Sequence, residues 1–335
     1  MLDRSEISPV AFTRDSKYFI RGSNDGKLKV FRCLSFEPEL VRVFGDHSRW
    51  VNAVAVSREF KYVVSTSEKD IKIWDFLSGK LLYILEGHTD DVNCMAFAPD
   101  SNYLASGSIK FEMSECAIKI WDVNEGKLRE TLSSHWGEIS CLAFSRDGSY
   151  LVSGAFDKTL NLWDADTGKL LNTFVGHKRS VLQVQITNDN KKIISCSFGS
   201  VIKIWDIESR KEIKEIRLEE TSDWKERLSL ISFVLSPDNR FIIGGLQASL
   251  EEGGLLKIWG TSSGELMQTL SIRQDFPGYE EEVNDIAISP NGNVIATACR
   301  DRMVIIWVSF ETYLKYIEVD EHYEGLRHQI VVKNL

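Results

Sequence analysis

Ser153, His135 and Asp157 have the residue types that nucleophilic catalysis uses. A serine hydroxyl attacks an acyl carbon when a histidine takes its proton and an acid orients that histidine. Trp163 stands ten residues beyond Ser153. The group recurs along the chain, which a single catalytic centre would not do. His47, Ser65 and Trp74, then His88, Ser106 and Trp121, then His177, Ser195 and Trp205 keep the same order, with 18 residues from each His to its Ser. The acid is not repeated with them. The turn is one residue shorter in the first set, an insertion displaces the position in the second, and Gly199 occupies it in the third. A recurring set of imidazole, hydroxyl and indole reads as a structural network that satisfies its own donors and acceptors. No HExxH or HxxEH pair and no GxxxxGK loop occurs. The remaining histidines, His322 and His328, form no cluster for a metal. The expectation is therefore no catalytic residue, no metal and no cofactor.

The elements that carry these residues are short strands. Each Trp ends an apolar alternating run, in the series LKVF, IKIW, IKIW, LNLW, IKIW, LKIW and VIIW. Alternation with period two is a strand signature. The runs end at Phe31, Trp74, Trp121, Trp163, Trp205, Trp259 and Trp307, at intervals of 43, 47, 42, 42, 54 and 48 residues. Another strand pattern (VNAVAV, VNCMAF, ISCLAF, VLQVQI, VNDIAI) follows most His positions. A polar turn such as SRDGS and a second strand such as YLVSGA come next, as in antiparallel hairpins. Seven units of this length match the period of four-stranded propeller blades.

The dipeptides Trp74-Asp75, Trp121-Asp122, Trp163-Asp164 and Trp205-Asp206, with Gly-His at His88 and His177, resemble the WD40-repeat family over nearly the whole chain. The resemblance implies an all-β, seven-bladed propeller of four-stranded antiparallel blades over residues 1–317. The approximate units are 3–45, 46–86, 87–133, 134–175, 176–218, 219–271 and 272–317, with 318–335 left as a tail. It also implies that the Trp ring N–H, Ser, His and Asp hydrogen-bond one another and tie a blade's entry loop to its third strand. Many members borrow their last strand from the N-terminus. Here the first strand begins near Ile7, which leaves no room for that, and the last unit is expected to supply its own outer strand near 313–317. The tail then either staples the first and last blades or leads into a larger protein.

Four insertions interrupt the repeat. Two lie between second and third strands, roughly 109–116 and 246–253, and two lie after fourth strands, roughly 219–227 and 273–282. In an up-and-down blade all four positions fall on one face, the face that the resembled family most often uses to hold partners. The segments 218–227, 246–253 and 272–282 hold ten acids and three bases. The three tryptophans outside the repeat signature, Trp50, Trp136 and Trp224, lie in inter-blade loops on that face, with Phe276 and Tyr279. Aromatic side chains beside Glu280, Glu281 and Glu282 suit a Lys/Arg-bearing segment through ion pairs and cation–π contacts. Asn52, Asn93, Ser140 and Asn284 resemble family contact positions just inside this face, or else bond backbone at a strand entry.

The net charge of −9 over 335 residues argues against a general nucleic-acid binder. No run of about 18 apolar residues predicts a membrane span, and MLDRSEISPVAF lacks a signal-peptide core. The six cysteines, with no CxxC pair, read as reduced small hydrophobes of an intracellular protein, cytoplasmic or nuclear. The reading is a non-catalytic scaffold or adaptor for a basic protein segment. The alternatives are a substrate receptor or structural subunit of a larger complex and, remotely, an enzyme using the central channel. Some ubiquitin-ligase receptors of the family carry Arg two residues after the signature Asp. Leu77, Asn124, Asp166 and Glu208 stand there instead.

Overall fold

The computed structural model describes residues 10–15, 17–23, 25–32, 39–109, 116–218, 229–247, 255–271, 283–299, 304–309 and 330–333. They form seven four-stranded sheets, each from strands consecutive in the chain. Sheet four shows the plan, with Ile139–Phe144, Tyr150–Ala155, Thr159–Asp164 and Leu170–Val175 running from the innermost strand outward. The first strands neighbour one another around the ring, and that of sheet one adjoins that of sheet seven. Among the described residues no helix is long and apolar enough to cross a membrane.

Local chemistry makes the strands reverse. In SRDGS, Ser145 donates to Asp147 at 2.6 Å and accepts from the N–H of Tyr150, while the N–H of Ser149 donates to the same carboxylate. The Asp of each Trp-Asp pair closes the next turn. Asp75, Asp164 and Asp206 each accept both the backbone N–H and the hydroxyl of the residue three positions on. Short polar side chains that bond nearby backbone stabilise such turns.

The core lies between the sheets. Leu160, Leu162 and Phe174 of sheet four pack with Val181, Val184, Ile193 and Trp205 of sheet five in one buried cluster. In sheet four the third strand is buried almost throughout, while the outer strand leaves half of its side chains exposed. Cys94, Cys116, Cys141 and Cys196 are buried, and burial pushes the Cys196 thiol up.

The expectation of seven antiparallel blades needs correction. Six sheets are antiparallel throughout. In the seventh, Val283–Ile288, Val294–Cys299 and Val304–Ser309 are antiparallel, but the outer strand, Ile330–Lys333, runs parallel to Val304–Ser309. That strand comes from the segment read as a tail, and the expected strand near 313–317 lies outside the described residues. A parallel neighbour cannot be reached by a two-residue hairpin. It needs a crossover of a dozen or more residues, which residues 310–329 supply in length.

The ring closes between sheets one and seven. Val10 and Phe19 pack against Val294 and Ala296. Asp285 binds three sheets together. Its carboxylate accepts from the N–H of Val10 in sheet one at 3.2 Å, from the hydroxyl of Ser232 in sheet six at 3.1 Å, and from the N–H of Ile286 in its own strand at 2.9 Å. Burial pushes this carboxyl up to about 6 against those three donors. A raised folded-state value means that the folded form holds the proton more tightly. The associated stability is present below about pH 4 and is lost as pH rises through 6. Asp285→Ala should cost about 1–3 kcal/mol in urea unfolding, because two inter-sheet donors lose their acceptor. Asp285→Asn should keep an acceptor oxygen and flatten the stability curve between about pH 4 and 6. Identical pH profiles for Asn and parent would remove Asp285 from the closure.

Candidate functional site

The Ser, His and Trp side chains meet at the end of each regular sheet, beneath the loop that enters it. In sheet four, Trp163 Nε1 lies 2.9 Å from Ser153 Oγ, Ser153 Oγ lies 2.8 Å from His135 Nε2, and His135 Nδ1 lies 2.8 Å from Asp157 Oδ2. The proton positions follow from the end groups. An indole N–H can only donate and a carboxylate can only accept. Trp163 therefore donates to Ser153, Ser153 to His135, and His135 to Asp157. Asp157 also accepts from the backbone N–H and hydroxyl of Thr159 and from the N–H of Trp136. Burial alone would raise the Asp157 carboxyl, but the donors His135 and Thr159 hold it below the usual carboxylate range. The distances are those of a hydrolytic triad, yet Ser153 is 0% exposed and its oxygen already serves Trp163.

Three further copies share the core of this geometry. Ser65, Ser106 and Ser195 lie 2.7 Å from His47, His88 and His177. They accept from Trp74, Trp121 and Trp205 at 2.8, 2.7 and 2.8 Å. The histidines are held neutral. Burial first, and then Lys72, Lys119 or Lys203 nearby, lower His47, His88 and His177 to about 4. In the fourth copy Gly199 stands where Asp157 stands, and His177 Nδ1 is buried without a hydrogen-bond partner among the described residues. Among the described residues, no group of three or more His, Cys, Asp or Glu could hold a metal.

The loop face is partly described. Trp136 is 78% exposed, and its loop is anchored by the bond from its backbone N–H to Asp157. Trp50 is 38% exposed, with the Arg49 guanidinium carbon 5.9 Å from its ring centre. Asn52 Nδ2 donates to the carbonyl of Val92, and Ser140 to that of Gly154. Asn93 differs, since both polar atoms of its amide are buried without a hydrogen-bond partner among the described residues. Asn284 lies on the innermost strand of sheet seven, and its side chain lies outside the described residues. Trp224, Phe276, Tyr279, Glu280, Glu281 and Glu282 also lie outside them, as do 110–115, 219–228, 248–254 and 272–282, which hold most of the four insertions.

Sequence reasoning missed two features. One is an acidic group on this same face. Asp91 is raised by burial and by the adjacent carboxylates of Glu68 and Asp90, against Arg49. The other is Asp285, visible beforehand as the one charged residue among Ala53, Cys94, Cys141, Gln183 and Ser232 at the same register position.

A family model for the WD domain, G-beta repeat, matches residues 38–75, 79–122, 126–164, 168–206 and 270–308, more than half of the chain. This chain belongs to the WD40 family. Two of the unmatched stretches, 1–37 and 207–269, contain the units ending at Phe31 and Trp259, where the repeat marks are weak. Similar WD40 relatives include a guanine nucleotide-binding protein subunit beta of Schizosaccharomyces pombe, 28% identical over 92 residues (27% of this chain and 29% of the relative). A WD repeat and SOCS box-containing protein 1 of Danio rerio is 31% identical over 98 residues (28% and 23%). Apoptotic protease-activating factor 1 of Rattus norvegicus is 37% identical over 95 residues (28% and 7%). The chain thus spans less than a third of the length of each. WD40 proteins are typically non-catalytic scaffolds or adaptors that bind other proteins.

Two outcomes follow from the buried network. Ser153→Ala leaves Trp163 N–H and His135 Nε2 facing an apolar methyl, so the unfolding free energy should fall by about 1–3 kcal/mol. An unchanged melting temperature would contradict the tie. The histidines set an acid limit. Their value is near 6.5 in the unfolded chain and about 4 in the fold. The unfolded state therefore binds more protons between these values, and stability falls as pH drops from 6.5 to 4. Each histidine should contribute on the order of 1–3 kcal/mol to that fall. Thermal unfolding of His177→Gln should show a shallower slope over this window than the parent.

Proposed function

We propose that this WD40 chain is a non-catalytic scaffold or adaptor that binds a basic segment of a partner protein on the face carrying the long loops of sheets three, six and seven. The observation that carries this reading is Trp136, a 78%-exposed indole on a loop whose backbone is pinned by Asp157. A large aromatic surface held in place while open to water costs little to order on binding, which is the usual character of an interface anchor. The charge on the same face supports a cationic partner. Glu68, Asp90 and Asp91 lie near one another, and burial first, then the charges of Glu68 and Asp90, raise the Asp91 carboxyl, while Arg49, paired with Glu68, acts against them. A lysine or arginine placed there relieves that repulsion and can stack on Trp136 or Trp50. The acidic segments 218–227 and 272–282 extend the same bias in sequence.

Fluorescence titration with Lys/Arg-rich peptides, against the same peptides with Gln at the basic positions, tests the reading. The basic peptides should bind and weaken as salt rises. Trp136→Ala should cost about 1–2 kcal/mol of binding. Asp90→Asn with Asp91→Asn, or Gln at positions 280, 281 and 282, should reduce the salt dependence. Binding indifferent both to salt and to the Gln triple variant would end the electrostatic account.

A further inference from the structure

Sheet four shows what the acid position does. Asp157 accepts from His135 Nδ1 at 2.8 Å and from the backbone N–H of Trp136 at 3.2 Å. It also accepts from the N–H and the hydroxyl of Thr159 at 3.0 and 2.7 Å. Sheet five repeats these surroundings without the acid. His177, Lys178 and Gly199 stand at the positions of His135, Trp136 and Asp157, with the same 22 residues between the first and the last. The imidazole is set by the same order of bonds. Ser195 accepts from Trp205 and passes its own proton to His177 Nε2, so the ring of the neutral histidine carries its hydrogen on Nδ1. His177 is 6% exposed. Among the described residues it is the one network histidine with a ring nitrogen that is buried and lacks a hydrogen-bond partner. A buried donor without an acceptor calls for an explanation.

Two further donors surround this nitrogen. The backbone N–H of Lys178 makes no hydrogen bond among the described residues, whereas that of Trp136 serves Asp157. Arg179 lies against the turn that lacks the acid. A Cβ added to Gly199 would stand 3.4 Å from Arg179 Cδ and 3.5 Å from its Nε, so the guanidinium lies where an acid side chain would leave the backbone. Neither Lys178 nor Arg179 forms an ion pair among the described residues. A water molecule would accept one of these protons and leave the positive charge unbalanced. A carboxylate answers both, through short charge-assisted bonds.

We propose that the entry of sheet five is a socket for a carboxylate supplied from outside the chain, an aspartate or glutamate side chain of a bound protein. His177 Nδ1, the N–H of Lys178 and Arg179 are its donors. The incoming group completes the fourth copy of the network, as Asp157 completes the third from within. Arg179 is exposed, so a change of its rotamer opens the way to His177 without movement of the backbone. Lys178 stands at the position of Trp136 one sheet further on, so a single partner can engage both. The socket does not depend on the basic-segment reading, because a free carboxylate tests it alone.

Imidazole NMR of the full chain, titrated with sodium acetate against sodium chloride at equal ionic strength, provides the test. The Nδ1–H signal of His177, assigned through His177→Gln, should shift with acetate and not with chloride. It should saturate between about 10 and 100 mM, the affinity of one or two charge-assisted bonds. Gly199→Asp supplies the acid from within. It should abolish the acetate response and melt above Gly199→Ala, which puts the same Cβ at φ +89° without a carboxylate. Arg179→Gln, on an exposed side chain, carries the test if the residue-199 variants unfold, and should weaken acetate about three- to fivefold. A Gly-Asp-Gly peptide with both ends blocked should bind at least as tightly as acetate, and its Asn counterpart should not bind. Equal responses to acetate and chloride, an acetate response that survives Gly199→Asp, or Arg179→Gln binding like the parent overturns the socket. Binding of acetate without binding of the Asp peptide overturns a protein side chain as its occupant.

Discussion

An indole can only give a hydrogen bond and a buried carboxylate can only accept one, and between these fixed ends the protons of the Trp, Ser and His network have one arrangement. In sheets two to five that directionality joins the third strand, through the second, to the loop that enters the sheet. It fixes the tautomer of His135 and holds Trp163 against the core cluster it shares with sheet three. Remove the hydroxyl and both neighbours are stranded away from water, where an unmet polar group costs more than a made bond returns. The apolar clusters between sheets supply most of the burial, but they are nondirectional. In the four sheets that carry it, the polar network adds the direction that those clusters lack.

The same network explains a tolerance. His177 keeps its bonds to Ser195 and Trp205 although Gly199 offers no acceptor to its other nitrogen. The three-member core is therefore sufficient to build a blade, and the acid is an added anchor where a loop must be held. Asp157 is such a case, because the loop it secures carries Trp136.

Much of the architecture was legible in the sequence because its marks are periodic. The 18-residue interval from His to Ser and the apolar run before each Trp recur often enough to place most strands. The last outer strand was not legible. A parallel partner leaves no hairpin turn beside it, so Ile330–Lys333 has no signal linking it to Val304–Ser309. Asp285 stood in plain view, but its meaning depends on Ser232 of the neighbouring sheet and on Val10, which only closure of the ring brings near.

Asp285 and Val10 are 275 positions apart. A ribosome adding about 5–20 residues each second exposes the apolar flank of sheet one for roughly 15–55 s before its neighbour emerges. Through that interval Val10 and Phe19 are a sticky edge on a growing, unclosed arc, and any other nascent chain offers them a rival surface. Safe production of this molecule is thus a matter of timing, because the sheet that is synthesised first is the last to be enclosed.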